Sequence, residues 1–177
     1  MGGCDRLPGS DRSVRRPGLD LPARHSRRHI PHRPLFHLVS AVGQSYGTTT
    51  CIQKACKFLL AKQLKNGGWG ESHLSSTTKA YTNLDKEKSH IVNTAWAMLA
   101  LMKAGQAERD PTPLHKAARL IMSMQLSNGD FPQEEMIGSF LKNGPLCYMA
   151  YRNIFPIWAL GEYQKLVLQC DLQWPTF

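Results

Sequence analysis

"KACKFLLAKQLKNGGW", residues 54–69, decides the fold, because it joins a helix to a turn and its pattern of residues recurs 62 residues later. Apolar residues recur at helical spacing from about Thr50 to Leu64, and Asn66-Gly67-Gly68 ends the helix. The same features return in residues 116–131. The matched positions that define the repeat are Gln63 and Gln125, Gly67 and Gly129, and Trp69 and Phe131.

A helix and a turn repeated at this period indicate stacked helical units, each of which buries its apolar face on its neighbours. Near the end of a helix, a glutamine can hydrogen-bond backbone groups that lack partners, while its amide packs against the aromatic ring beyond the turn. We therefore expect Gln63 and Gln125 to act as clasps. The simpler alternative, an ordinary amphipathic helix that ends at glycine, does not account for the second copy.

Three further helices are predicted, and no alternating strand pattern competes with them, so the predicted class is all-α. One can be capped by Ser89, carries a wide apolar stripe that includes Ile91 and Trp96, and has Gly105 where a C-terminal cap would lie. The next opens with Thr112 as its cap and stops at Asn128-Gly129.

The last helix is expected over Cys147–Gln169, where Pro156 should kink or divide it. His90 is interpreted as a helix-start or packing residue rather than a catalytic base. Four methionines within the helices are interpreted as core fillers: Met98, Met102, Met122 and Met124.

The net charge of +9 is unevenly distributed, since residues 1–38 carry eight arginines and three aspartates, and the rest of the chain carries only +4. Residues 1–38 hold few large apolar side chains, so we expect them to be disordered. A transit peptide and a basic arm for nucleic acid are the alternatives for this segment. The mildly basic body predicts no nucleic-acid partner.

The five cysteines form no CxxC pair, which argues against a disulfide framework and against a zinc site. The longest nearly apolar run, residues 91–102, is too short to span a membrane. The N-terminus lacks the apolar core of a signal peptide. These features are compatible with attachment to a membrane surface.

The pattern Lys-Ala-x-x-Phe-Leu-x-x-x-Gln-x-x-x-Gly-x-Trp at residues 54–69 resembles the QW repeat of squalene and oxidosqualene cyclases. Longer stretches are similar to the C-terminal end of plant oxidosqualene cyclases of the β-amyrin and cycloartenol synthase type. These stretches are "NGGWGES", "HIVNTAWAMLAL", "AGQAERDPTPLHKAA", "NGDFPQEE" and "YRNIFPIWALGEY". The resemblance covers about residues 39–169, and we divide the chain into an unmatched segment 1–38, a cyclase-like part 39–170 and a tail 171–177.

The resemblance implies an incomplete α/α barrel, the C-terminal fragment of an enzyme that cyclises 2,3-oxidosqualene to a triterpene alcohol without metal or organic cofactor. In the family, the aspartate of an Asp-Cys-Thr-Ala-Glu motif opens the epoxide, and aromatic faces stabilise the carbocation. That motif does not occur in this sequence. No catalytic residue is therefore assigned, and we expect the chain alone to be inactive.

The resemblance also implies that part of a substrate cavity is retained. Phe140 is similar in position to the family's cation-stabilising phenylalanine, and Tyr148 and Tyr151 match aromatics that line or support the cavity. The string Phe140-Leu141-Lys142 is closer to the Phe-Met-Lys of β-amyrin-type enzymes than to the Phe-Asn-Lys of sterol-forming ones. Pro145, which removes a backbone donor beside this wall, departs from the family pattern.

Two other classes compete with the cyclase hypothesis. The first is a non-catalytic helical module that binds another protein. The second, a protein prenyltransferase β-subunit, requires zinc ligands that the cysteine spacing does not supply. By family resemblance we expect the cytosolic face of the endoplasmic reticulum membrane or a lipid droplet surface as the location.

Overall fold

The computed structural model describes residues 46–47, 49–136, 138–140, 144–146 and 148–169. The segments 1–38 and 171–177, for which the sequence predicts disorder and a tail, lie outside the described residues. In the described part the helices are α1 (Thr50–Lys62), α2 (Leu74–Thr78), α3 (Ile91–Lys103), α4 (Gln106–Arg109), α5 (Thr112–Ser123) and α6 (Tyr151–Tyr163). A 3₁₀ turn, Asp85–Glu87, precedes α3, and a π-helical segment, Gln164–Leu168, continues α6. The all-α prediction is confirmed.

One short sheet was not predicted. Strands β1 (Gly138–Phe140) and β2 (Gly144–Leu146) pair antiparallel, with Ser139 opposite Pro145. Each strand has only three residues, which is too short for an alternating pattern to stand out in a sequence.

Helix α3 forms the centre of the core. All of its residues from Ile91 to Met102 are buried, and it packs against α1, α5 and α6. A helix that is apolar around most of its circumference is expected in such a position. Its polar members are paired, since Asn93 donates to the carbonyl of Glu71 and Thr94 donates to the carbonyl of His90.

The internal repeat is visible in the geometry of the two turns. Gly67 and Gly129 both adopt the left-handed backbone conformation, with φ of 92° and 88°. The side-chain oxygens of Asn66 and Asn128 each accept a backbone N–H two residues later, at 3.1 Å and 3.0 Å. Turns with the same hydrogen bonds at an offset of 62 residues make the repeat a structural one.

The glutamine hydrogen bonds also recur. Gln63 Nε2 donates to the carbonyl of Gly67 at 2.8 Å, and Gln125 Nε2 donates to the carbonyl of Gly129 at 3.0 Å. Gln63 makes a second bond, at 2.9 Å, to the carbonyl of Pro113 at the start of α5. In the first copy the glutamine thus joins its own turn to the neighbouring helix.

Trp69 connects α1 to α3 and is fully buried. Its indole Nε1 donates to the carbonyl of Leu59 at 2.8 Å, and its backbone N–H donates to Thr94 Oγ1 at 3.0 Å. Phe131, in the second copy, is equally buried but has no ring donor; its backbone N–H donates to Asn153 Oδ1 on α6. The aromatic residue beyond each turn is therefore a core residue.

Two predicted helix caps were wrong. The side chain that caps α3 is His90, whose Nδ1 accepts from the Val92 N–H, whereas Ser89 accepts from the Asn66 amide instead. Thr112 is the first residue of α5 and not its cap. The backbone N–H of Thr112 donates to Asp110 Oδ1, because the chain turns at Asp110 before the helix begins.

The last helix also differs from the prediction. It begins at Tyr151, and the predicted start at Cys147 lies outside the described residues. Helix α6 runs on through Pro156 and is not divided. Among the methionines expected in the core, Met98 and Met102 are buried, but Met122 is 53 % exposed, because nothing covers that side of α5 in the described structure.

Candidate functional site

An aromatic cluster joins α3 to α6. The ring of Trp96 lies 6.0 Å from that of Tyr151 and 5.3 Å from that of Phe155, and both pairs meet edge to face. Tyr151 and Phe155 also meet edge to face, at 5.2 Å. Three rings in mutual edge-to-face contact hold one another's orientation, because this geometry pairs the positive edge of one ring with the negative face of the next.

Two more aromatic residues extend this cluster along α6. Tyr148, 55 % exposed, lies 5.1 Å from Tyr151, and Trp158 stacks on Phe155 at 6.1 Å. The structure therefore brings together two of the predicted cavity residues, Tyr148 and Tyr151.

Phe140, the third predicted cavity residue, ends strand β1, where its backbone lies opposite Gly144. Its side chain lies outside the described residues. Strand β1 packs beside α2, and the chain reaches Tyr148 two residues after β2 ends. The hairpin and the aromatic cluster are thus adjacent along the chain.

A buried polar cluster precedes the hairpin. Glu134 Oε2 accepts from the backbone N–H of Ile91, the first residue of α3, at 2.5 Å. A carboxylate is favourable there, because the N-terminus of a helix carries partial positive charge. His90 Nδ1 already accepts from Val92, so its Nε2 carries the proton and donates to the carbonyl of Glu135 at 2.9 Å. His90 and Glu134 therefore fasten the residues before the hairpin to α3.

An exposed ion pair lies beside this polar cluster. Lys88 Nζ donates to Glu135 Oε1 at 2.9 Å. This hydrogen bond lowers the pKa of Glu135 and raises the pKa of Lys88. Because both side chains are about half exposed, the pair contributes little to the free energy of unfolding.

A second polar link ties the turn of the second repeat to α6. Arg152 Nη2 pairs with Asp130 Oδ2 at 3.2 Å, and Asn153 Nδ2 donates to Asp130 Oδ1 at 2.7 Å. Arg152 also donates to the carbonyl of Phe131. Asp130 thus accepts hydrogen bonds from the guanidinium of Arg152 and the amide of Asn153, both near the start of α6.

The described aspartates supply no proton donor of the expected kind. Hydrogen bonds from Thr112 lower the pKa of Asp110, which favours its charged form. Asp85 is exposed in the 3₁₀ turn, and Asp171 lies outside the described residues. Among the described acids, Glu71 is buried, and the buried carboxylate of Glu134 accepts a hydrogen bond from the start of α3.

Within the described ranges, no three side chains of the metal-binding types gather in one place. Cys51 and Cys56 are free thiols. No helix in this part of the chain has the length and apolar character needed to cross a membrane.

Sequence reasoning missed two parts of this site. Aromatic residues at 148, 151, 155 and 158 recur at helical spacing, so the cluster on α6 was detectable from the sequence. The contact of Trp96 with this cluster could not be detected from the sequence, because the contact depends on how α3 and α6 pack. The same holds for Glu134, whose burial follows from a contact 43 residues away along the chain.

Comparison with known proteins agrees with this architecture. The model of the squalene-hopene cyclase C-terminal domain matches residues 35–165. The alpha-onocerin synthase LCD of Lycopodium clavatum is 48 % identical over 124 residues, covering 70 % of this chain and 16 % of the relative. The lanosterol synthase of Homo sapiens is 41 % identical over 130 residues, covering 72 % of this chain and 17 % of the relative. The chain thus spans about a sixth of the length of the curated relatives it matches.

Proposed function

Because the chain belongs to the family of squalene-hopene cyclase C-terminal domains, we propose that it supplies part of the aromatic wall of an oxidosqualene cyclase cavity. The substrate in this proposal is 2,3-oxidosqualene, and the product is a cyclic triterpene alcohol. The observation that carries the proposal is the cluster of Trp96, Tyr151 and Phe155, continued by Tyr148 next to the hairpin of Phe140.

The chemistry fits a cyclisation that proceeds through carbocations. A cation above an aromatic ring is stabilised by about 0.5–1 kcal/mol at exposed sites and by about 2 kcal/mol or more where water is excluded. Rings fixed edge to face cannot turn away as charge develops, so their electrostatic contribution is organised in advance. Phe140 and Tyr148 act in this proposal as the residues nearest the substrate.

The polar cluster has a positioning role in this proposal. Glu134 and His90 fix the residues that lead into β1, and Arg152 fixes the turn that leads to them. Displacement of these residues would move the hairpin and with it Phe140. Product choice in such a cavity depends on where the rings stand relative to each intermediate.

The finer assignment to the β-amyrin type of plant enzyme is supported by Phe140-Leu141-Lys142, which is closer to Phe-Met-Lys than to the Phe-Asn-Lys of sterol-forming relatives. We propose a triterpene-forming rather than a sterol-forming relative on this basis. The relatives named above, an alpha-onocerin synthase and a lanosterol synthase, are compatible with both outcomes.

The acid that opens the epoxide is not part of this proposal, since the sequence holds no Asp-Cys-Thr-Ala-Glu string. We propose that the chain by itself does not cyclise oxidosqualene. The alternative function, a non-catalytic helical module, is supported by the exposed apolar residues of α6 alone.

The proposal is tested in a chimera in which residues 35–165 replace the matching segment of human lanosterol synthase. Replacement of Tyr151 by leucine in this chimera removes one ring of the cluster, so we expect more early-terminated or rearranged products. Ile154→Leu, one turn along α6, keeps an aliphatic side chain of the same size and removes no ring, so as the matched control it should leave the product spectrum unchanged. Identical product spectra for Tyr151→Leu and the unmodified chimera would refute a role of this cluster in the cavity.

A further inference from the structure

The two turns of the repeat share their hydrogen bonds but differ in what covers them. Gly67 is buried and Gln63 is half-buried, whereas Gly129 and Gln125 are exposed. A Cβ atom placed on Gly129 would meet no atom within 4 Å. The second turn is thus built in the same way as the first but has no neighbour in the described structure.

The first turn shows what kind of surface such a turn fits. A Cβ atom on Gly67 would lie 2.7 Å from Cβ of Lys116 and 2.8 Å from its carbonyl carbon and oxygen. Gln63 donates to the carbonyl of Pro113 in the same helix. The turn therefore rests directly on the backbone of the first turns of α5, and a glycine is required because a side chain would displace it.

Helix α1 is the repeat equivalent of α5. Its first turns therefore correspond to the surface of α5 on which the Gly67 turn rests. The offset of 62 places Cys51 where α5 has Pro113, and Lys54 where α5 has Lys116. The side chains of Thr50, Cys51 and Lys54 are exposed. Within the described residues, the Gly129 turn has no neighbour, and Cys51 is exposed where its equivalent Pro113 is half-buried beside the first turn.

We propose that the Gly129 turn of one chain docks on the start of α1 of a second copy of this chain. Gln125 Nε2 donates to the carbonyl of Cys51, as Gln63 does to that of Pro113 within one chain. Leu126 and Met122, 46 % and 53 % exposed, lose water on docking, which provides the apolar contribution to association.

One residue in the contact differs between the two copies. Asp130 stands where the first turn has Gly68. A Cβ atom on Gly68 would lie 2.5 Å from Leu120 Cδ2, the far end of a flexible side chain on α5, and also 2.5 Å from Ser89 Cβ. The equivalent of Leu120 on α1 is Phe58, whose ring must turn aside for the second turn to dock.

The symmetry of the assembly follows from the two different surfaces. A turn on one chain and a helix start on the next form a head-to-tail contact, which is not closed by a two-fold axis. Association should therefore continue beyond the dimer, either into open chains or into a ring. This inference is independent of the proposed cyclase function, because it depends on the repeat alone.

The test is sedimentation velocity of the full 177-residue chain over a range of concentrations. Gly129→Asn keeps the left-handed conformation accessible but places a side chain against the backbone of Lys54 of the second copy. We expect it to weaken association by at least about tenfold. Gly105→Asn, at another glycine with positive φ of 76°, is the matched control and should change association less than about twofold. Circular dichroism verifies that both variants remain helical.

A rival surface is tested in the same series. Ile157→Asp places a charge on the exposed apolar side of α6 and should leave head-to-tail association unchanged. As a second readout, alkylation of the exposed Cys51 should slow as the concentration of the wild-type chain rises. A chain that stays monomeric at every soluble concentration overturns the proposal. So does association that Ile157→Asp abolishes, or that Gly129→Asn leaves intact.

Discussion

At the scale of single residues, the aromatic residue beyond each turn shows how one side chain serves two elements. The Trp69 indole bonds the carbonyl of Leu59 near the end of α1, where backbone carbonyls lack helical partners. Phe131 fills the equivalent place but its ring has no hydrogen-bond donor. Its backbone N–H donates to Asn153 Oδ1 on α6. The match between positions 69 and 131 thus holds for packing but not for the ring hydrogen bond.

Trp69→Phe should lower the free energy of unfolding by about 1–3 kcal/mol beyond the loss of ring area, because the Leu59 carbonyl is left without its buried partner. Trp96→Phe is the control. It makes the same change from indole to phenyl at another buried site, where the described contacts are between rings. Urea unfolding of the two variants gives the difference. Equal destabilisation would show that the indole hydrogen bond contributes nothing.

The two described cysteines should differ in reactivity. Burial raises the pKa of the Cys56 thiol, and the neutral thiol is a poor nucleophile, whereas Cys51 is exposed. At neutral pH and low protein concentration, we expect iodoacetamide to modify Cys51 at least about tenfold faster than Cys56. Peptide mass spectrometry resolves the two sites, and addition of denaturant should equalise them. Comparable rates in the folded chain would disprove the burial of Cys56.

At the scale of elements, the start of α3 is held by two side chains that approach from different parts of the chain, His90 and Glu134. Glu134→Ala leaves the buried Ile91 N–H without a partner, so it should cost about 1–3 kcal/mol of unfolding free energy. Glu135→Ala removes a neighbouring but half-exposed carboxylate and should cost less than about 1 kcal/mol. Chemical denaturation of the two variants measures the difference in unfolding free energy. Equal losses would contradict the proposed role of Glu134.

The pair of Lys88 and Glu135 gives a pH dependence of defined sign. The pKa of Glu135 lies below its ordinary 4.5 in the folded chain, so its contribution is complete above that value and is lost as the pH falls through the lowered pKa. The stability difference between wild type and Glu135→Gln should therefore be present at pH 6, vanish in acid and shrink in high salt. A difference that persists unchanged below the folded pKa would rule out this ion pair as its source.

The extent of each helix was predictable because apolar spacing is a local property. Helix α1 ends two residues before the predicted Leu64, and α5 begins at Thr112, the residue predicted as its cap. The cap at Ser89 was wrong because His90 accepts the Val92 N–H, and the cap at Thr112 was wrong because Thr112 is itself helical and gives its N–H to Asp110. The contact between Trp96 and Tyr151 was not predictable, since helical spacing does not tell which helices meet.

At the scale of the whole molecule, the two repeats have the same plan but unequal surroundings. The offset of 62 continues into the inner helices, where Trp96 of α3 corresponds to Trp158 of α6. Trp96 is covered by rings of α6, whereas Trp158 is 42 % exposed. The second repeat is thus the open end of the described structure.

This asymmetry predicts how one substitution depends on context. Ile157 is 58 % exposed, while its equivalent in the first repeat, Ala95, is fully buried. Ile157→Ala should therefore change the unfolding free energy of the isolated chain by less than about 0.5 kcal/mol. In the chimera with lanosterol synthase, where we propose that further helices cover this face, the melting temperature should fall by several degrees. A neutral effect in both settings would contradict that coverage.

The account depends most on the claim that residues 35–165 form a working part of an oxidosqualene cyclase. The most direct measurement is gas chromatography of triterpenes from cells that accumulate oxidosqualene and express either the chain alone or its chimera with human lanosterol synthase. We predict a cyclic triterpene alcohol from the chimera and none from the chain alone. A folded chimera without product, or product from the chain alone, would contradict the account.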